Sequence, residues 1–139
     1  MTKINMGRVI LGGLLAGLIV NVSEVILNTM AFRTQMEGAL VRLNLPPIST
    51  NAIMGFVAFG FLLGIMTIWL YAAIRPRYGA GPLTGVCAGV TVWFFAYLYP
   101  SAGMALMHMF SRRLIAVTLV WGFAEIVIAA VAGAALYKE

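Results

Sequence analysis

The stretch Val9–Phe32, VILGGLLAGLIVNVSEVILNTMAF, decides the fold. It is an unbroken apolar run long enough, at about 1.5 Å per residue, to carry a helix across roughly 30 Å of hydrocarbon. Backbone groups cannot go unpaired in lipid, so a run of this length must be helical. Inside it lie Asn21, Glu24 and Asn28, and a carboxylate at membrane depth costs about 2.5–3.5 kcal/mol on insertion scales.

Three further runs have the same character: Ala52–Ile74, Pro82–Tyr99 and Leu114–Tyr137. The chain of 139 residues is 63% hydrophobic and only 9% charged, against about 25% charged in an ordinary soluble domain. Its mean hydropathy is +1.01. The expected fold is therefore an all-α integral membrane protein. It has four transmembrane helices in one antiparallel bundle, covering 9–32, 52–74, 82–99 and 114–137 of a single domain, 1–139. The first run is too long for a signal-peptide core and no small-residue cleavage site follows it, so it reads as a retained span. A lone cysteine, Cys87, allows no disulfide framework.

Between the first two runs, Phe32, Met36, Ala39, Leu40 and Leu43 recur with helical period. That predicts an amphipathic helix at the interface, or a continuation of the first span, ended by Pro46-Pro47. Ser49, Thr50 and Asn51 offer N-caps for the second span. A tight Arg75-Pro76-Arg77 turn is expected to join spans two and three. The segment Pro100–Arg113, with Met104, Met107, His108, Met109 and Phe110, reads either as an interfacial helix or as the third span continuing past a Pro100 kink.

Lys3, Arg8, Arg75, Arg77 and Lys138 fall on one side of this arrangement, and Arg33, Arg42, Arg112 and Arg113 on the other. The split is nearly even under the positive-inside rule. The arginine-flanked turn points to cytoplasmic termini in a bacterial inner membrane. The net charge of +5 lies at helix ends, where it suits anionic headgroups. No basic face exists for nucleic acid, so the bilayer is the expected partner.

Gly13, Gly17, Asn21, Glu24 and Asn28 follow at spacings that put them on one helix face. In the fourth span Thr118, Trp121, Glu125, Ala129 and Ala132 share a face. Trp121 is too deep for the interfacial aromatic belt, so its indole N–H is expected to find a polar partner such as Glu125. Thr67 and Tyr71 align with Gly60 and Gly64 on the second span and would support this polar seam. Gly81, Gly85 and Gly89 form a small-xxx-small stripe on the third, suited to close helix packing. No Lys or Arg lies inside a span, and a desolvated carboxyl without a counter-charge favours its neutral form. At least one of Glu24 and Glu125 is therefore expected to hold a proton at neutral pH, shared with Asn21, Asn28 or the other glutamate. No strong internal repeat is evident. The segments around the two glutamates, SEVIL and AEIVI, share a small–Glu–aliphatic pattern on oppositely directed spans, the arrangement of an inverted repeat, but over five positions that chance explains equally well.

Composition also excludes chemistry. With one His and one Cys there is no zinc site, bis-His haem or cysteine redox pair, and no phosphate-cradling strand-to-helix motif. No cofactor or enzymatic activity is expected. Two readings of the seam remain. In one, a homo-oligomer binds a proton or cation at Glu24, Glu125, Asn21 and Asn28 during transport or conduction. In the other, the chain is a non-catalytic accessory or assembly subunit of a larger membrane complex.

Ser23-Glu24-Val25-Ile26 resembles the Ala-Glu-Val-Ile around the membrane glutamate of small multidrug resistance transporters. That resemblance implies a cation-coupling role for Glu24 and covers only the neighbourhood of that residue. The third span lacks that family's Tyr-Ala-x-Trp signature, and Glu125 is an extra membrane acid. Over most of its length the layout is similar to bacterial four-helix membrane proteins of unknown function, a resemblance that implies no activity.

Overall fold

The computed structural model describes residues 3–138, and among them there is helix and no strand. The elements are α1 (Met6–Leu27), a π-helical turn (Asn28–Phe32), α2 (Arg33–Arg42), α3 (Thr50–Tyr78), α4 (Pro82–Trp93), a second π-helical turn (Phe94–Leu98), α5 (Tyr99–Leu106) and α6 (Arg112–Ala135). They join into four continuous helical rods, Met6–Arg42, Thr50–Tyr78, Pro82–Leu106 and Arg112–Leu136, each long and apolar enough to cross a membrane. Large apolar side chains such as Leu18, Val25, Phe56, Phe59, Leu62 and Val120 cover the outside, the inverse of a soluble surface.

The rods form a ring in which α1 and α4 each pack against both α3 and α6. Gly13 faces Ile65 and Gly17 faces Phe61, while Asn21 donates to the Val57 carbonyl at 3.2 Å. Residue numbers thus fall along α3 as they rise along α1. At Gly13 a Cβ would lie 2.5 Å from the Ile65 Cα, and at Gly12 it would lie 2.5 Å from the Gly133 oxygen. These helices meet backbone to backbone, as small-residue faces allow. Gly85 and Gly89 pack in the same manner against Val131 and Val127 of α6.

This creates a correspondence the sequence does not suggest. Gly13, Gly17 and Asn21 on α1 match Gly85, Gly89 and Trp93 on α4. In each case two glycines one turn apart close on the partner helix. The next residue in the row then donates a side-chain N–H to a partner carbonyl: Asn21 to Val57, and Trp93 Nε1 to Leu119 at 3.0 Å. This structural likeness pairs α1–α3 with α4–α6.

Several local expectations change. The amphipathic segment after the first span continues it as one rod of 37 residues, about 55 Å long. The junction is the π turn Asn28–Phe32. Leu27 and Phe32, five residues apart, are buried in one cluster with Leu114. An α-helix would set them roughly 140° apart at 3.6 residues per turn; the π turn brings them onto the same side. The second π turn precedes Pro100, which has no N–H to offer the Ala96 carbonyl and would crowd it in a regular helix. The third rod runs on through Pro100 to Leu106. Arg75-Pro76-Arg77 is not a turn, because α3 continues through it to Tyr78. The reversal falls on Gly79 and Gly81, whose φ angles of 88° and 141° favour glycine. Gly81 thereby caps α4, and nothing lies within 4 Å of a Cβ placed there, so it does not extend the packing stripe of Gly85 and Gly89. Pro82 follows at the first helical position, where a missing N–H costs nothing.

The end holding Asn5 and Tyr137 is closed by aromatic and polar contacts. Tyr71 meets Tyr137 edge-on at 5.9 Å, Arg75 lies 5.5 Å from the Tyr137 ring centroid, and the Asn5 backbone N–H donates to the Tyr137 hydroxyl at 3.2 Å.

Candidate functional site

Three rods bring polar side chains together at one level of the bundle. From α6, Glu125 points inward and is 4% exposed. The second π turn supplies Tyr97, whose hydroxyl donates to Glu125 Oε1 at 2.6 Å. Ser23 and Glu24 come from α1; the Ser23 hydroxyl faces the Glu125 carboxyl, and Glu24 lies within electrostatic reach of both Glu125 and Tyr97. The Ser23 oxygen also accepts from Trp121 Nε1 at 2.8 Å. Trp121 therefore finds its polar partner on α1, not in Glu125 one turn away. Its ring is 38% exposed on the outer face of α6.

The Glu125 carboxyl is asymmetric. Oε1 is held by Tyr97, while Oε2 is buried and makes no hydrogen bond of good geometry among the described residues. A buried polar atom without a bond costs about 1–3 kcal/mol. A buried carboxyl beside two hydroxyls and a second carboxyl is chemically suited to a proton or a small cation.

The expected seam divides into three parts. Asn21 is half-buried and bonds the Gly17 carbonyl at 2.9 Å as well as Val57. Its amide joins α1 to α3 rather than serving a glutamate. Asn28 does serve Glu24, donating from Nδ2 to the Glu24 backbone oxygen at 2.8 Å and to Oε2 at 3.0 Å, but its side chain is exposed on the outside of the rod. Thr67 and Tyr71 are buried on one face of α3 as their spacing implies, yet they work elsewhere. Thr67 donates to its own Leu63 carbonyl at 2.7 Å, and the Tyr71 hydroxyl accepts from the Gly81 N–H at 3.3 Å. Thr118 is half-buried one turn below Trp121.

Tyr97 and Ser23 are the participants the sequence does not disclose. Tyr97 belongs to an aromatic run, FFAYLY, within the third span, and it lies in the π turn, where a 3.6-residue period does not give its facing. Ser23 carries a signal only in being next to Glu24.

Along the paired α1–α2 and α6 rods, polar and apolar levels alternate in a fixed order. Beyond the carboxyls comes the apolar cluster of Leu27, Phe32 and Leu114, with Phe110 and Val117 against it. Beyond that is a cavity of about 190 Å³ lined by residues including Gln35, Ala39, Arg42, Phe110 and Ser111. Arg42 closes its rim by donating from Nη2 to the Met109 carbonyl at 2.5 Å. On the opposite side of Glu125, buried Ile126, Ala129, Val20 and Ala16 lead to the Gly12–Gly133 contact. Among the described residues no group of three or more His, Cys, Asp or Glu side chains could hold a metal. The third described acid, Glu37, is paired with Arg33 at 3.3 Å on the exposed face of α2.

The chain matches no protein-family model, and neither a curated protein nor a solved structure matches it significantly.

Proposed function

We propose that the chain crosses a membrane four times as an antiparallel bundle and moves or conducts protons or small cations as a homo-oligomer. Glu125 is the binding carboxyl; Tyr97, Ser23 and Glu24 complete its surroundings. The observation that carries this reading is the buried Glu125 carboxyl, met by the hydroxyls of Tyr97 and Ser23 and by a second carboxyl, with no Lys or Arg beside it among the described residues. Intramembrane acids face cavities or partners and mark ion and proton paths. The exposed Asn28 amide, bonded to Glu24 on the outer face of the first rod, supports a second copy covering that face, because amides are costly against acyl chains. The nearly even division of basic residues leaves the arginine-flanked reversal as the support for cytoplasmic termini.

The test is proton-coupled flux in proteoliposomes containing wild type, Glu125→Gln or Glu24→Gln. Gln keeps shape and hydrogen bonding but cannot take up a proton. Loss of flux in Glu125→Gln, with the fold intact by circular dichroism, is the expected result; flux that persists in both variants overturns the carrier role.

The same exposed Asn28–Glu24 pair favours one other reading, an accessory or assembly subunit whose partner covers α1. There the Gln variants would be silent in flux, and Ala at position 24 or 28 would weaken co-purification of a second polypeptide.

A further inference from the structure

We propose that the carboxyl site is reached from one end of the bundle only, through the cavity at Gln35, Arg42 and Ser111. The apolar cluster of Phe32, Leu27, Leu114 and Val117 is the gate between cavity and carboxyls. This deepens the transport reading above by assigning the access side and the closing residues.

The axial order carries the inference. Rising along the first rod, the residues are Ser23 and Glu24, then Leu27 and Phe32, then Gln35, Ala39 and Arg42. Falling along the facing α6, they are Glu125 and Trp121, then Val117 and Leu114, then Ser111. Both helices thus give the same three levels: carboxyls, apolar cluster, polar cavity. Leu114 lines the cavity and Phe110 stands beside it, and behind them Leu27 and Phe32 are each at most 5% exposed, so apolar side chains separate the cavity from the carboxyls. The Gly12 and Gly133 backbones are in contact, and a Cβ at either would lie within 2.6 Å of the other's oxygen.

The opening movement is assigned to Phe32, which ends a π turn, an irregularity frequent at functional sites. Retreat of its ring would join the cavity to the space around Ser23. An apolar constriction of this kind closes by excluding water and opens when it wets.

The experiment reads water access directly and does not depend on flux. In a Cys87→Ala background, Ser23→Cys is reconstituted in vesicles and exposed to a small cationic methanethiosulfonate, which reacts with hydrated thiols. Gln35→Cys, lining the cavity, reports which vesicle face the cavity opens to. We expect slow modification of the Ser23→Cys thiol that accelerates about tenfold when Phe32→Ala or Leu114→Ala is added, as removal of an apolar constriction lets water through. Acceleration should occur only with reagent on the face where Gln35→Cys reacts. Two different truncations guard against a single variant that misfolds. Equal rates with and without both truncations, or faster modification from the opposite face, overturn the gate. If the truncations accelerate labelling while flux survives in both Gln variants, the gate stands and the carrier role of the glutamates fails.

Discussion

Tyr97→Phe isolates the contact on which the site depends. Phe keeps the ring, which is needed because it fills the space over Gly122: a Cβ there would lie 2.6 Å from Tyr97 Cε1. Only the hydroxyl goes, and with it the 2.6 Å bond to Glu125 Oε1. Side-chain hydrogen bonds between membrane helices average about 0.6 kcal/mol and reach about 1.7. This one belongs near the top of that range, for two structural reasons. It is short for an O–H···O bond, and the carboxyl is only 4% exposed, so its loss leaves Ser23 as the one remaining hydroxyl on a buried acid. We expect Tyr97→Phe to cost about 1.5 kcal/mol, roughly a tenfold change in the unfolding equilibrium. Equilibrium unfolding in mixed SDS–detergent micelles measures it. A double-mutant cycle with Glu125→Met, which keeps length and removes both acceptors, assigns it. In the Glu125→Met background the Tyr97→Phe cost should fall close to zero. Equal costs in the two backgrounds, within about 0.3–0.5 kcal/mol, would refute the reasoning and show that the hydroxyl has another partner.

Gly13→Ala should destabilise by about 1–2 kcal/mol in the same assay, since overpacking against backbone outweighs the gain in helix propensity. Gly55→Ala, with nothing within 4 Å of the new Cβ, should gain up to about 1 kcal/mol; the reverse ranking would contradict the glycine contact. Trp121→Phe should lose its bond to Ser23, about 0.6–1.7 kcal/mol. Ser23→Ala should cost more, because its hydroxyl also faces Glu125, and the double variant should cost little more than Ser23→Ala alone, as unfolding of all three will show. Glu37→Gln should leave both stability and flux unchanged, because its pairing with Arg33 lies on an exposed helix face; a clear loss of either would place α2 in a contact this bundle does not contain.

How far the sequence could be read depended on phase. The four apolar rods, the inward facing of Glu125 and the glycine contacts of Gly13, Gly17, Gly60 and Gly64 follow from composition and a 3.6-residue period. Asn28 beside Glu24 follows from one-turn spacing. That period fails across the two π turns. It cannot put Leu27 with Phe32, nor turn Tyr97 away from its aromatic neighbours toward Glu125. It also says nothing of axial level between rods, which is why Thr67 and Tyr71, aligned on the right face of α3, turned out to serve their own helix and the Gly79–Gly81 reversal. Trp121 was legible as needing a partner. That the partner is Ser23 depends on how α1 and α6 register, and glycines at positions 12 and 133 set that register.

The contact between Gly12 and Gly133 has an electrical consequence. Two backbones that touch leave no room for water, so in the proposed bilayer setting this part of the bundle would be insulator, while the end with the Gln35–Arg42 cavity would be solvated. A transmembrane voltage would then drop mainly across the glycine-packed half. Moving one charge through a full drop of 100 mV is worth about 2.3 kcal/mol. A proton or cation arriving at Glu125 through the cavity would cross little of that field, and most of the electrical work would attend its departure past the glycines. Binding on the cavity side would respond weakly to voltage, and net turnover strongly.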